Sequence, residues 1–309
     1  MERLVLDLRE NPGGPLDQAI AVANRFLRQG QMIVYTEGRV PNMDAEYVAP
    51  SGGDYTEIPI VVIVNRRSAS ASEIVSGAIQ DHDRGLVIGE TTFGKALVQS
   101  VYRVSGQAAL ALTTGRYFTP SGRLIQRPWD GSFDEYLTYS LRDQDGEPEH
   151  EPSALRYTAG GRKVYGGGGV EPDHFVPGPV EGFNPARFTT LLYGRGAFIA
   201  FAEKFTREGD TRPGAQSAAE HIVAPGWSVS DDMVAEFKAF IVEQGVRVDD
   251  EAFEADRDFI KAMVQFEVDN DLFGIEEARR NLSKVDPQAQ SALKYFDEAE
   301  QLLKSRRTP

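Results

Sequence analysis

The sequence predicts an α/β core followed by an α-helical C-terminal domain, and three observations predict it. Ile60 to Val64 and Leu86 to Ile88 are short apolar, mostly β-branched runs separated by a helix-forming segment, the pattern of buried parallel strands joined by a crossover helix. Arg3 to Leu8 is a third such run, and it leads through a glycine turn into a second helical pattern. From Asn184 onward the apolar residues recur at helical spacing instead. The expected division is residues 1–180 for the core, with an insertion at about 127–165, and residues 181–309 for the helices.

In chain order, Arg3 to Leu8 is a strand and Glu10-Asn11-Pro12-Gly13-Gly14 a tight turn. Leu16, Ile20, Ala23 and Leu27 then line one helical face, and Ile33 to Thr36 is a short strand. Asn42 to Glu57, polar and glycine-bearing, reads as a loop or exposed hairpin. After Ile60 to Val64, the run Ser68-Ala69-Ser70-Ala71-Ser72-Glu73 opens a helix whose apolar face is Ile74, Ala78 and Ile79. Val98 to Val104 and Ala108 to Thr114 are strand-like and join around Ser105-Gly106. Arg127 to Tyr165, rich in charge and tyrosine, reads as a solvated insertion. Its carboxylates Asp143, Asp145, Glu147, Glu149 and Glu151 lack the full calcium-loop pattern. Gly166 to Gly169 is no phosphate cradle, because no G-K-[ST] follows. Asn184-Pro185 starts the helices, Glu208 to Pro225 is a polar connector, and Asp286-Pro287 starts a last helix that reaches about Lys304.

Bulk properties narrow the function. The 309 residues carry a formal net charge of −14, which argues against nucleic acid and against an anionic membrane surface. With no cysteine there are no disulfides, thiolate zinc sites or cysteine nucleophiles. No apolar run approaches membrane-spanning length, and no signal peptide is read.

Ser70 and Glu73 have the S-x-x-E spacing of a capping box, so Ser70 reads first as a helix cap. It also reads as a nucleophile on the first turn of a helix, where free N–H groups and the positive dipole end stabilise an oxyanion. A serine nucleophile needs a base, and Lys95 is the only lysine in the first 162 residues. Lysine serves when a dry pocket lowers its pKa from about 10.4 toward 7–8. Arginine, which supplies all the other side-chain positive charge there, cannot release its proton at neutral pH. There is no S-x-x-K pair and no G-x-S-x-G elbow, and His82 lies near the far end of the Ser70 helix.

SASASEI, Asp81 and GETTFGKALVQ together resemble the carboxyl-terminal processing peptidases, serine endopeptidases with a serine–lysine pair. DLRENPGG at Asp7 to Gly14, LTTGRYFTPSGRLIQ at Leu112 to Gln126 and GGGGVEPD at Gly166 to Asp173 extend the resemblance over roughly Leu4 to Pro177. The resemblance implies a crotonase-like core and endoproteolysis near disordered, apolar C-termini of polypeptides. In this chain it implies Ser70 as nucleophile, Lys95 as base, Gln99 as the group orienting the lysine, and Asp81 at the position of the family's helix-end aspartate. Asp81 is read as a structural hydrogen-bond acceptor, since a carboxylate touching Lys95 would raise the pKa of the base. The N–H of Ala71, with that of Gly13 or Gly14, is the implied oxyanion hole. Tyr117, Phe118 and Ile125 read either as groove-lining residues or as core. Ala96 departs from the glycine usual in the family, a change that matters where φ is positive. No metal or cofactor is required, and the implied compartment is periplasmic or otherwise extracytoplasmic. The helices are expected to cap the core, cradle substrate or pair subunits in a homo-oligomer.

The family usually carries a PDZ segment and further core elements before the DLRxNPGG motif, so the chain is expected to be a fragment. Two rival functions stay open at this level: a protease-derived peptide-binding module without activity, and an esterase using the same Ser–Lys pair.

Overall fold

A computed structural model describes residues 1–39, 43–128, 136, 138–139, 150–177, 187–208 and 226–305. The acidic stretch 143–149, the helix start at Asn184-Pro185 and most of the 208–225 connector lie outside the described residues.

The described residues divide into two units, one of residues 1–177 with 291–309 and one of residues 178–290. The first is built on a parallel sheet. Strand β1 (Leu4–Asp7) pairs with β4 (Ile60–Val64), β4 with β5 (Leu86–Gly89), and β5 with the short β10 (His174–Phe175). All five residues of β4 are buried, as a strand with neighbours on both edges and cover on its faces must be. Helices α1 (Leu16–Asn24) and α2 (Ala71–Asp81) pack on each other and on the sheet. Ala19, Ala23, Leu27, Ile74, Val75, Ala78 and Ile79 meet Ile60, Val62 and Val64 in one apolar core.

A second, antiparallel sheet is ordered β3 (Ala45–Val48), β2 (Met32–Gly38), β7 (Ala108–Phe118), β6 (Leu97–Ser105). A hairpin of β8 (Leu155–Tyr157) and β9 (Lys163–Tyr165) completes the strands. The α/β class is realised, but the core is not crotonase-like. The two strands that follow Lys95, β6 and β7, leave the parallel sheet and join β2 and β3 in a separate antiparallel one. The reason is local. A parallel strand needs a crossover of a dozen or more residues, whereas only Gly106 and Gln107 separate β6 from β7, with Gly106 at φ 50°.

The second unit is helical: α3 (Arg187–Gly194), α4 (Ala197–Glu208), α5 (Asp231–Glu243), α6 (Asp250–Ala255), α7 (Arg257–Phe273) and α8 (Ile275–Val285). Phe198, Phe201, Phe237, Phe240 and Phe253 form its aromatic core with Met233 and Met263. Buried Asp269 is satisfied by Trp227 Nε1 at 2.8 Å and Asn281 Nδ2 at 2.8 Å. The last helix expected from Asp286 is broken at Tyr295 into α9 (Pro287–Lys294) and α10 (Phe296–Ser305). Helix α10 belongs to the strand unit, where it packs on β4.

Candidate active site

Ser70 sits where the turn after β4 enters α2, as the N-cap of that helix. Its backbone, at φ 56° and ψ −115°, has the geometry of the first central residue of a type II′ turn, a region that glycine prefers. A side chain stays in such a conformation only where its surroundings over-determine it. Here Ser68 Oγ donates to the Leu8 carbonyl at 2.7 Å, while Ala69 N and Ser72 Oγ both donate to the Asn11 carbonyl at 3.0 Å. These bonds lace the serine turn to the glycine turn that follows β1.

Glu73 completes the arrangement. The capping-box spacing is realised, with Ser70 N donating to Glu73 Oε2 at 2.8 Å. The same oxygen accepts from Lys95 N at 2.9 Å. The other oxygen, Oε1, accepts from Gly94 N at 2.7 Å and from Thr92 Oγ1 at 2.5 Å. One fully buried carboxylate therefore joins the backbone of Ser70 to that of Lys95, whose amide nitrogens can lie no further apart than two hydrogen bonds. Burial pushes the Glu73 carboxyl up to about 7, against the opposite pull of its four donors.

Tyr117 bridges the same two residues from the other side. Its hydroxyl donates to the Lys95 carbonyl and lies 3.2 Å from the Ser70 carbonyl oxygen. Burial, with the nearby Glu73 charge, pushes its phenol well above the usual range, so it stays a neutral donor. The side chain of Lys95 is half-buried and forms no ion pair among the described residues.

The two glycines differ. A Cβ on Gly13, at φ +94°, would stand 2.7 Å from Ala71 N and 2.8 Å from Ser70 Cβ, whereas one on Gly14 would meet nothing within 4 Å. Gly13 thus lies against the start of α2, although its own N–H donates to Asn11 Oδ1 at 3.0 Å. The N–H of Ala71 has no acceptor among the described residues, as expected of an orphan donor in a first helical turn.

The other sequence candidates lie apart from this cluster. Asp81, at the far end of α2, is buried in an ion pair with Arg123 and accepts from Ser121 N at 2.9 Å. Gln99 is exposed on β6, beside a register shift, with no side-chain hydrogen bond to Lys95. Ile125 is fully buried in the apolar core, and Phe118 stacks on Tyr35 at 5.0 Å between centroids. Ala96 is buried and is not among the residues of positive φ, so its methyl group costs the backbone nothing. Among the described residues no group of three or more His, Asp or Glu side chains is placed to hold a metal ion.

Sequence reasoning found Glu73 only as half of a cap. Its other partners lie some 20 residues on, and no local pattern announces them. It also read Arg127 as the start of a solvated insertion. The structure packs Arg127, Tyr136 and Tyr139 onto the turn that carries Lys95.

Comparison with known proteins adds a family likeness. Residues 1–130 match the model of peptidase family S41. The chain is 52% identical over 122 residues to a carboxy-terminal-processing protease of Bartonella bacilliformis, covering 40% of this chain and 28% of that protein. It is 44% identical over 119 residues to a carboxyl-terminal-processing protease of Picosynechococcus sp., covering 38% and 28%. It therefore spans little more than a quarter of the length of either relative. A solved photosystem II D1 C-terminal processing protease is 39% identical over 40% of this chain and 31% of that one, with a TM-score of 0.36. Residues 1–130 are therefore similar to peptidase family S41 and to the carboxyl-terminal processing proteases.

Proposed function

We propose that this chain is the catalytic portion of a serine endopeptidase that cleaves polypeptides near apolar, disordered C-termini. The observation that carries this reading is the shared carboxylate oxygen of Glu73, which ties Ser70, in a strained conformation, to Lys95. In the proposed reaction Ser70 Oγ attacks the peptide carbonyl and Lys95 takes the proton. It returns the proton to the leaving amine, and water then releases the acyl group by the same route. The Ala71 N–H is one oxyanion donor. Gly13 is the second in this reading, its N–H turning from Asn11 to the oxyanion when substrate is bound. Gln99 is available to hold the Lys95 amine without adding charge. An extracytoplasmic compartment, periplasmic in a bacterium, is part of the same reading.

The test is cleavage of an unfolded protein with an apolar tail. Ser70→Ala and Lys95→Ala are each expected to abolish cleavage, with the double variant no worse than either, because members of one catalytic unit are not additive. Lys95→Arg, which keeps the charge but supplies no base, is expected to be equally inactive. A folded Ser70→Ala protein that cuts at the wild-type rate rules the mechanism out.

A further inference from the structure

The turn Thr91 to Ala96 carries Lys95 yet belongs to no helix or strand, so its backbone groups need partners from elsewhere. On the N–H side, Thr92 donates to the Val170 carbonyl at 3.1 Å and Phe93 to the Ser68 carbonyl at 3.0 Å. Gly94 and Lys95 donate to Glu73, and Ala96 donates to Gln126 Oε1 at 2.8 Å.

The carbonyl side is served mostly by one arginine. Arg127 Nε donates to the Phe93 carbonyl at 2.9 Å, Nη2 to that of Thr92 at 3.3 Å, and its backbone N to that of Gly94 at 2.9 Å. Nη2 also donates to the Gly168 carbonyl. Tyr139 Oη donates to the Thr91 carbonyl at 3.3 Å, while its ring covers the Arg127 guanidinium 3.4 Å from the ring centroid. Tyr136 meets the Phe93 ring edge-on at 5.1 Å. With Tyr117 on the Lys95 carbonyl, five consecutive carbonyls from Thr91 to Lys95 all have donors, and Arg127 and Tyr139 hold four of them.

We propose that Arg127 and Tyr139 are positioning residues for Lys95: a clamp that fixes the base-bearing turn from its carbonyl side while Glu73 fixes it from its N–H side. The proposal rests on the Ser70–Lys95 reading above. Arg127 lies within the residues matched by the family model and Tyr139 beyond them. The chemistry suits the residue type. A planar guanidinium reaches several carbonyls at once in a fixed fork, which a lysine ammonium on a flexible stem cannot do. A misplacement of about 1 Å in a catalytic group costs on the order of 100-fold in rate, so a clamp of this kind acts on turnover rather than on substrate capture.

The test compares Arg127→Lys, Tyr139→Ala and Tyr139→Phe with wild type, using steady-state cleavage of the unfolded substrate and amide hydrogen exchange at Gly94 and Lys95. Arg127→Lys and Tyr139→Ala are expected to lower kcat by about 10- to 100-fold with KM within about twofold, and to speed exchange at both amides while β4 stays protected. Tyr139→Phe keeps the ring over Arg127 and loses the hydroxyl that donates to the Thr91 carbonyl, so it is expected to fall between wild type and Tyr139→Ala. Wild-type kcat in Arg127→Lys and Tyr139→Ala, a loss confined to KM, or unchanged exchange at Gly94 and Lys95 overturns the clamp. If a larger substitution does not fold, Tyr139→Phe decides by the same two measurements. If wild type shows no Ser70-dependent cleavage, the proposed function fails, and exchange at Gly94 and Lys95 alone decides whether the clamp exists.

Discussion

Glu73 is the residue on which two opposing effects can be weighed. Four donors favour its carboxylate, and complete burial opposes it. Burial wins, since the group is pushed from 4.5 up to about 7. The folded protein then binds this proton more tightly than the unfolded chain does. The stability so gained is full below pH 4.5 and is lost as pH rises through 7. A rise of that size corresponds to about 3 kcal/mol. Glu73→Gln removes the titration, so denaturant unfolding of wild type is expected to lose about 3 kcal/mol more than the variant between pH 4.5 and 8. The variant is expected to be weaker at every pH, because an amide nitrogen in place of Oε2 faces the N–H groups of Ser70 and Lys95, at about 1–3 kcal/mol for each buried donor left without an acceptor. Parallel pH profiles for the two proteins would show that Glu73 keeps its charge throughout.

At the scale of elements, the site is a meeting of two strand-to-helix turns, and their glycines make the contact measurable. Gly13 needs both its positive φ and its missing Cβ to lie against the start of α2, while Gly14 needs neither. Gly13→Ala is expected to destabilise the strand unit by about 2 kcal/mol or more, since the methyl group meets backbone that cannot step aside. Gly14→Ala is expected to lie within about 0.5 kcal/mol of wild type, and thermal unfolding of the pair checks the contrast. Equal losses would mean that the two turns are not packed as described. These turns were readable in the sequence because their signals are local: apolar runs, glycines and the Ser70–Glu73 spacing fall within a few residues of one another. The β6–β7 hairpin is legible in the sequence, but the separate antiparallel sheet is not, because its decisive pairing, β2 with β7, joins Tyr35 to Phe118 across more than 80 residues. The two-residue turn at Gly106 was visible, but a resemblance to a whole family outweighed it. Arg127 was misread for a different reason. Composition marks an arginine in a charged stretch as solvated, and it cannot reveal that three carbonyls of a distant turn lack donors.

At the scale of the molecule, the strand unit is discontinuous in sequence. Its last helix, α10, comes after the whole helical unit and returns to the first strands. Phe296 packs there with Arg3 over its ring at 5.6 Å, His174 on β10 stacks on Tyr295 at 4.4 Å, and the same imidazole bonds Glu298 at 2.9 Å. Ala299 and Leu303 are buried on the same helix. Phe296→Ala is expected to cost about 3–5 kcal/mol in the strand unit, seen as faster amide exchange in β1 and β4 with α5 and α7 unaffected. Undiminished protection in β4 would mean that α10 is a passenger.

That return of the chain has a consequence in time. A ribosome delivers Gly13, Ser70 and Lys95 early, then the entire helical unit, and only afterwards the helix that backs β4. Roughly 200 residues separate Lys95 from Ser291, which at about 5–20 residues per second is on the order of 10–40 s of synthesis. Throughout that interval the nascent β4 lacks the helix that packs on it. The order of the elements thus makes the packing of α10 on β4 one of the last contacts of the strand unit to form during synthesis.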